Sequence, residues 1–409
     1  MLQVLYADQT VGQLWSEARE LCFCYAASWV QASHAFPLTP QLPLGLQPFR
    51  GDKVLFFFSN LLPEGAVLDV ILKLKRLPRG DVYAQLAAFG ANALVPESEI
   101  HQRQAAYQPY TTEHIRADLV RLKDHLPLLF QHGELRLSLA GAQDKIPVHY
   151  AAGQFGLPMG GAASTHILKP TIQPEKLFPD AVLNEAFCLR LARLSGLDAV
   201  KSEVVRLPET VLVVERYDRM VQVGQVQRLH QLDFCQLAGV LPDQKYAKDG
   251  GPSLADIFRL IDQYAAVPGR DRLKVLDWVV FNYLIGNADA HAKNLAMLLM
   301  AGNRLQLTPL YDLLCTTVYP SLDTRMAMAI GGEYRPEWVQ QRHWQRFAAE
   351  AGINPTLLQK RSLALSKRVL ANIQPVVAEL AVGNCPLIAD IIRLVQKRAE
   401  WLESRQMGL

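Results

Sequence analysis

Between an apolar helical stretch and an alternating hairpin, the sequence LIGNADAHAKN (Leu284–Asn294) gathers an acid, a histidine, a lysine and an amide into one short polar loop. Trp278, Val279, Val280, Tyr283 and Leu284 give the helix its apolar side. Gly286 and Asn287 both tolerate the left-handed conformation and predict its stop. After the loop, Leu295–Met300 is apolar, Ala301-Gly302-Asn303 is a turn signal, Arg304–Thr308 alternates, and Asp312 follows. A hairpin there returns the chain to its starting point, so Asn294 and Asp312 should meet in space.

The order Asp289, Asn294, hairpin, Asp312 carries a chemical meaning. Phosphoryl-transfer sites of the protein-kinase kind place a loop Asp against the substrate hydroxyl, and an Asn and a second Asp on Mg²⁺. The reaction needs hard oxygen ligands for the ion and a separate carboxylate facing the nucleophile. Taken singly, each residue reads as well as a loop or turn cap; the set of three around a hairpin points to the chemistry. His291 reads as a brace for the loop carboxylate or as a contact to the bound reactant, and Lys293 belongs with it on the nucleotide side.

Other segments could complete such a site. Thr165–Lys169 (THILK) ends an apolar strand on a lysine, where ATP phosphates need a cation. A helix at about 181–195 carries Glu185 on its apolar face, and a carboxylate there wants a cationic partner, with Lys169 the natural candidate; a solvated Glu on an amphipathic helix is the alternative. The loop Arg136–Lys145 (RLSLAGAQDK) is rich in small residues, so its backbone N–H groups at Ala140, Gly141, Ala142, Gln143 and Asp144 could approach phosphates, with Lys145 behind them. It is neither a Walker A motif nor G-x-G-x-x-G. Leu212–Arg219 (LVVERYDR) is a strand end that could serve as a hinge between lobes.

Length and composition set the frame. The 409 residues suggest two or three domains, and half of them are hydrophobic, enough for large cores. A net charge of +3 does not announce nucleic-acid binding. The six cysteines lack zinc-finger spacing, and Cys22 and Cys24 read as same-face positions of a strand. With no signal-peptide pattern and no apolar run long enough to span a membrane, a reduced cytoplasm is expected. The first hundred residues read as β-rich, with Val54–Phe58 (VLFFF) a buried strand followed by the turn-like Ser59–Gly65 (SNLLPEG). The polar stretch 97–112 is the linker candidate. Strands dominate from about 134 to 218. Helices follow at Ser253–Tyr264, Arg272–Ile285 and along Pro355–Arg405, giving an α+β arrangement with a cleft between lobes.

Together RLSLAGAQDK, THILKP, NEAFCLRLARLSGL, VVERYDR, LPDQKYAKDGGPS, FNYLIGNADAHAKN and LTPLYDLL resemble the HipA family of kinase toxins. FFFSNLLPEG resembles that family's small N-terminal domain, whereas Phe89–Val95 (FGANALV) lacks its usual polar glycine pattern. The resemblance implies a two-lobed protein-kinase-like fold: a small β-rich domain over residues 1–100, an N-terminal kinase lobe over 101–225 and a helical lobe over 226–409. It implies a serine/threonine protein kinase using ATP and Mg²⁺. Asp289 would be catalytic, Asn294 and Asp312 would hold the metal, Lys169 the phosphates, and the backbone at Glu215 and Tyr217 the adenine. Ser138 matches the serine that family members autophosphorylate, and a phosphate there would switch the enzyme off. Implied partners are a helix-turn-helix antitoxin, operator DNA through that antitoxin, and a protein substrate of the aminoacyl-tRNA synthetase class. A nucleotide-binding co-repressor without kinase activity is the alternative reading.

Overall fold

The computed structural model describes residues 1–7, 9–89, 94–96, 105–123, 145–171, 175–207, 209–222 and 225–404. The N-terminal unit is a five-stranded antiparallel sheet ordered β4-β3-β2-β1-β5, from β1 (Leu2–Tyr6), β2 (Gln9–Glu17), β3 (Glu20–Tyr25), β4 (Phe49–Arg50) and β5 (Leu94–Pro96). Helices α1 (Ala27–Val30), α2 (Asp52–Ser59), α3 (Gly65–Lys75) and α4 (Val82–Phe89) accompany it, so this unit is mixed rather than β-rich.

Val54–Phe58, expected as a strand, is the body of α2. A short apolar run fits either state by pattern alone. Here Val54, Phe57 and Phe58 are buried at helical spacing while Leu55 and Phe56 remain partly exposed, and Phe58 meets Phe23 of β3 at 5.6 Å. The linker expected at 97–112 is also corrected where it is described. Ala106–Pro109 forms strand β6 because its backbone completes the edge of a second sheet, beside Gly156–Met159.

That second sheet has six strands ordered β10-β11-β9-β7-β8-β6, with β7 (Ile146–Ala151), β8 (Gln154–Met159), β9 (His166–Lys169), β10 (Ser202–Arg206) and β11 (Thr210–Glu215). Helix α5 (Thr112–Lys123) covers one face through Ile115 and Leu119, which join Ile146, Val148, Leu168 and Val213 in a compact core. On the other side α6 (Ala181–Leu194) packs between the sheet and the helical half; it is buried along nearly its whole length. A two-stranded ribbon, β12 (Arg219–Gln222) with β13 (Gln225–Arg228), leads out of this lobe.

The C-terminal half contains α7 (Phe234–Ala238), α8 (Leu254–Tyr264), α9 (Pro268–Ile285), α10 (Gln341–Glu350), α11 (Pro355–Leu380) and α12 (Pro386–Glu403) around a three-stranded sheet, β14 (Gln231–Asp233), β15 (Ala296–Met300) and β16 (Arg304–Leu307). The expected C-terminal helical tail breaks at Ala381–Cys385, where Ala381 is left-handed and Pro386 starts α12. A continuous apolar core joins the N-terminal unit, α6 and the helical half.

His230 lies at the contact of the N-terminal unit with β14. One ring nitrogen hydrogen-bonds the Leu38 carbonyl at 2.7 Å, and the ring stacks on Phe36. Burial lowers its pKa to about 4. The folded chain therefore refuses a proton that the unfolded chain accepts near pH 6.5, and stability falls as pH drops through that window. Urea denaturation at pH 7.5 and pH 5 should show the wild type losing up to about 2 kcal/mol more than His230→Gln; equal losses would contradict the assignment.

Candidate active site

The site begins with a buried ammonium. Lys169, at the end of β9, donates to Glu185 Oε1 at 2.7 Å and to Asp312 Oδ1 at 2.5 Å. Glu185 comes from the first turns of α6, and Asp312 follows β16. The expected Lys169–Glu185 pair is therefore present, and it is extended by a second carboxylate. Lys169 and Glu185 are nearly closed off, with side chains 7% and 5% exposed, whereas Asp312 keeps 33% open. Burial opposes all three charges. The two carboxylates nevertheless raise the Lys169 pKa, and Lys169 and Lys145 hold Asp312 well below the usual carboxylate range. Burial pushes Glu185 up.

Asn184, one residue before Glu185, fixes the other side of this cluster. Fully buried, it donates to the Cys315 carbonyl and accepts from the Cys315 amide, each at 2.8 Å, and donates to Tyr319 Oη at 3.1 Å. A carboxamide that satisfies both polar groups of a distant residue acts as a clamp. It anchors the chain three residues beyond Asp312, which itself has a left-handed φ of 51°. That conformation is unusual outside glycine and is tolerated best by Asp and Asn.

The hairpin closes as the sequence predicts. β15 pairs with β16, and Asn294 Nδ2 reaches Asp312 Oδ2 at 3.2 Å. Asn294 Oδ1 accepts from the His291 amide at 3.0 Å within a short 3-10 turn, Ala292–Asn294. At the loop's start Gly286 has a φ of 77° and ends α9; Asn287 does not share the left-handed conformation. A methyl group at Gly286 would lie 2.4 Å from Thr317 Oγ1 and 2.6 Å from Leu394, so any side chain there would be strained and would have to displace its neighbours. Asn287 instead donates to Asn282 Oδ1 and to the Asp312 carbonyl, at 2.8 and 3.2 Å.

Asp289 stands exposed at the loop's tip. Tyr246 Oη donates to its Oδ1 at 2.8 Å, a partner sequence reasoning missed although LPDQKYAKDGGPS was singled out as a segment. The surrounding walls and the nearby Asp312 charge raise the Asp289 pKa, against the Tyr246 hydrogen bond. His291 is buried edge-on against Tyr246; burial lowers its pKa to about 3, so the ring is neutral. Its Nδ1 has no hydrogen-bond partner among the described residues. Lys293 points away from solvent and donates to Asp233 Oδ2 at 2.6 Å and Asn60 Oδ1 at 2.7 Å.

In the segment expected to be a hinge, the Glu215 amide donates to the Lys201 carbonyl at 2.9 Å. Tyr217 stacks on Tyr311, and its hydroxyl donates to Gln231 at 2.7 Å. Lys145 lies where burial lowers its pKa and the Asp312 carboxylate opposes that. Ser138 and the loop residues Ala140, Gly141, Ala142, Gln143 and Asp144 lie outside the described residues.

The donor set fits a nucleotide-bound magnesium ion. Asp312 has one open side, Asn294 stands next to it, and no group of three or more His, Cys, Asp or Glu side chains that could hold a metal occurs among the described residues. Magnesium in such sites takes one or two protein oxygens and completes its shell with phosphates and water.

Residues 2–111 match the HipA N-terminal domain family, and residues 137–377 match the HipA-like C-terminal domain family. The chain belongs to the HipA family. By that membership it is a serine/threonine kinase. Y4mE of Sinorhizobium fredii, a protein named as a candidate kinase, is 39% identical over 378 residues, covering 88% of each chain. The serine/threonine-protein kinase toxin HipA of Shewanella oneidensis is 29% identical over 407 residues, covering 93% of this chain and 90% of its own. The solved complex of Shewanella oneidensis HipA with HipB and operator DNA superposes with a TM-score of 0.83 at 27% identity, over 99% of both chains. The HipA-family chain thus has the expected α+β, two-lobed kinase fold, with sheets and helices in both halves.

Replacing Asn184 with Ala removes the clamp and leaves both polar groups of Cys315 unpaired. Denaturant titration should register a loss of about 2–3 kcal/mol; a change under about 0.5 kcal/mol, typical of a surface position, would contradict the clamp.

Proposed function

We propose that this HipA-family chain transfers the γ-phosphoryl group of ATP to a serine or threonine hydroxyl of a protein, as the toxin of a toxin–antitoxin pair. The observation that carries the reading is the meeting of Lys169, Glu185, Asn294 and Asp312 at the floor of the cleft, with Asp289 free to face a substrate. A magnesium ion held by Asp312 and Asn294 would neutralise charge on the phosphates. Lys169, kept cationic by its two carboxylates, supplies positive charge to the same phosphates, and Lys145 stands near it. Asp289 accepts or orients the proton of the attacking hydroxyl. Its raised pKa suits a group that must receive a proton. Tyr246 holds one of its oxygens and leaves the other for the substrate. The backbone at Glu215 and Tyr217 would take the adenine, and His291 and Lys293 would support the loop from behind.

Ser138 is the proposed autophosphorylation site. A phosphate there would bring nearly two negative charges beside the nucleotide phosphates and expel the loop. The target is proposed to be a protein of translation, of the aminoacyl-tRNA synthetase class, so that phosphorylation slows growth. A helix-turn-helix antitoxin is the proposed partner, with operator DNA reached through it. The Shewanella relative was solved in such a company, with HipB and DNA, and this supports the reading. No helix among the described residues is long and apolar enough to cross a membrane, and a cytoplasmic site of action fits this.

Incubation with Mg-ATP followed by intact-mass measurement tests the proposal. The wild type should gain one phosphate mapping to Ser138, and Asp289→Asn should gain none, with transfer reduced about 10³-fold or more. A variant that keeps full transfer would remove Asp289 from its role. ATP binding with no transfer to any protein would favour the co-repressor reading.

A further inference from the structure

The turn Ser59–Gly65 belongs to the N-terminal unit, yet two of its side chains end at the catalytic loop. Asn60 closes α2, and Glu64 precedes α3; they are 3% and 8% exposed. Asn60 donates to the Val240 carbonyl at 2.9 Å and accepts from Lys293 Nζ at 2.7 Å. Glu64 accepts from Lys245 Nζ at 2.9 Å through Oε2, and its Oε1 lies 3.7 Å from Lys293 Nζ. One carboxylate therefore bridges two lysines of the other half of the molecule.

Those lysines hold the loop from two sides. Lys293 immediately precedes Asn294, which contacts Asp312, and its carbonyl accepts from Tyr311 Oη at 2.7 Å. Lys245 immediately precedes Tyr246, whose hydroxyl holds Asp289. Lys293 is almost sealed from water, and its ammonium is surrounded by Asp233, Asn60 and Glu64. A shift of a supporting group by about 1 Å can cost a reaction about 100-fold when the reacting groups must be aligned.

We propose that Glu64 and Asn60 are positioning residues for phosphoryl transfer: through Lys245 and Lys293 the N-terminal unit sets the placement of Asp289 and Asn294. The small unit is then part of the active site's support, and the kinase reading is the premise for its effect on rate.

Hydrogen exchange by mass spectrometry on the full chain separates positioning from activity. Glu64→Gln keeps the shape of the side chain and removes its charge. Peptides over 286–296 should exchange about tenfold faster in this variant, with α11 unchanged. At saturating Mg-ATP the phosphate-transfer rate should fall about 10- to 100-fold, with KM for ATP within about threefold of wild type. Glu64→Asp should lie between. Exchange over 286–296 within about twofold of wild type, or a rise of equal size across α11, would overturn the proposal. A wild type that transfers no phosphate but whose loop loosens in Glu64→Gln would retain the positioning and remove the kinase premise.

Discussion

The arrangement depends on one ammonium taken out of water. Lys169 sits between Glu185 and Asp312, which come from the sheet lobe's long helix and from the hairpin of the helical half. Burying a charge costs several kcal/mol unless partners and hydrogen bonds compensate. The three groups satisfy each other only when strand β9, helix α6 and the segment after β16 have come together. Asn184 secures the same junction from the neighbouring position, through the Cys315 backbone. The two lobes are joined by the same residues to which the proposed chemistry is assigned.

Electrostatics divides labour among the acids. Asp312, lowered by Lys169 and Lys145, stays ionised and open on one side, which suits the proposed metal ligand. Glu185 is closed away and serves the lysine alone. Asp289 faces out and is raised by its surroundings, as suits a proton acceptor. These three carboxylates thus differ in environment, and the difference suits each to its proposed role.

Much of this was legible in the sequence. The loop Asp289–Asn294, the hairpin and Asp312 could be read from spacing because turns and alternation are local signals. The Lys169–Glu185 pair followed from a charge on an apolar helix face. Lys169 bridging to Asp312, Asn184 clamping Cys315 and Tyr246 holding Asp289 were not legible, because each joins residues far apart in the chain with no local periodicity to mark them. Val54–Phe58 was misread for a different reason: a five-residue apolar run fits strand and helix alike, and only packing against β3 decides. Lys293 shows the limit of motif reasoning. Its neighbours in sequence suggest a place on the nucleotide side, while its partners in the fold are Asp233 and the N-terminal unit's Asn60.

If Asp312 is the residue that receives the metal, its charge should govern how magnesium and nucleotide bind together. Calorimetric titration of ATP into the chain, with and without Mg²⁺, measures this in wild type and in Asp312→Asn, a change that suits the left-handed backbone there. The wild type should bind ATP at least about tenfold more tightly with Mg²⁺, and the variant should lose that increment while keeping metal-free binding. The same magnesium increment in both proteins would contradict the account.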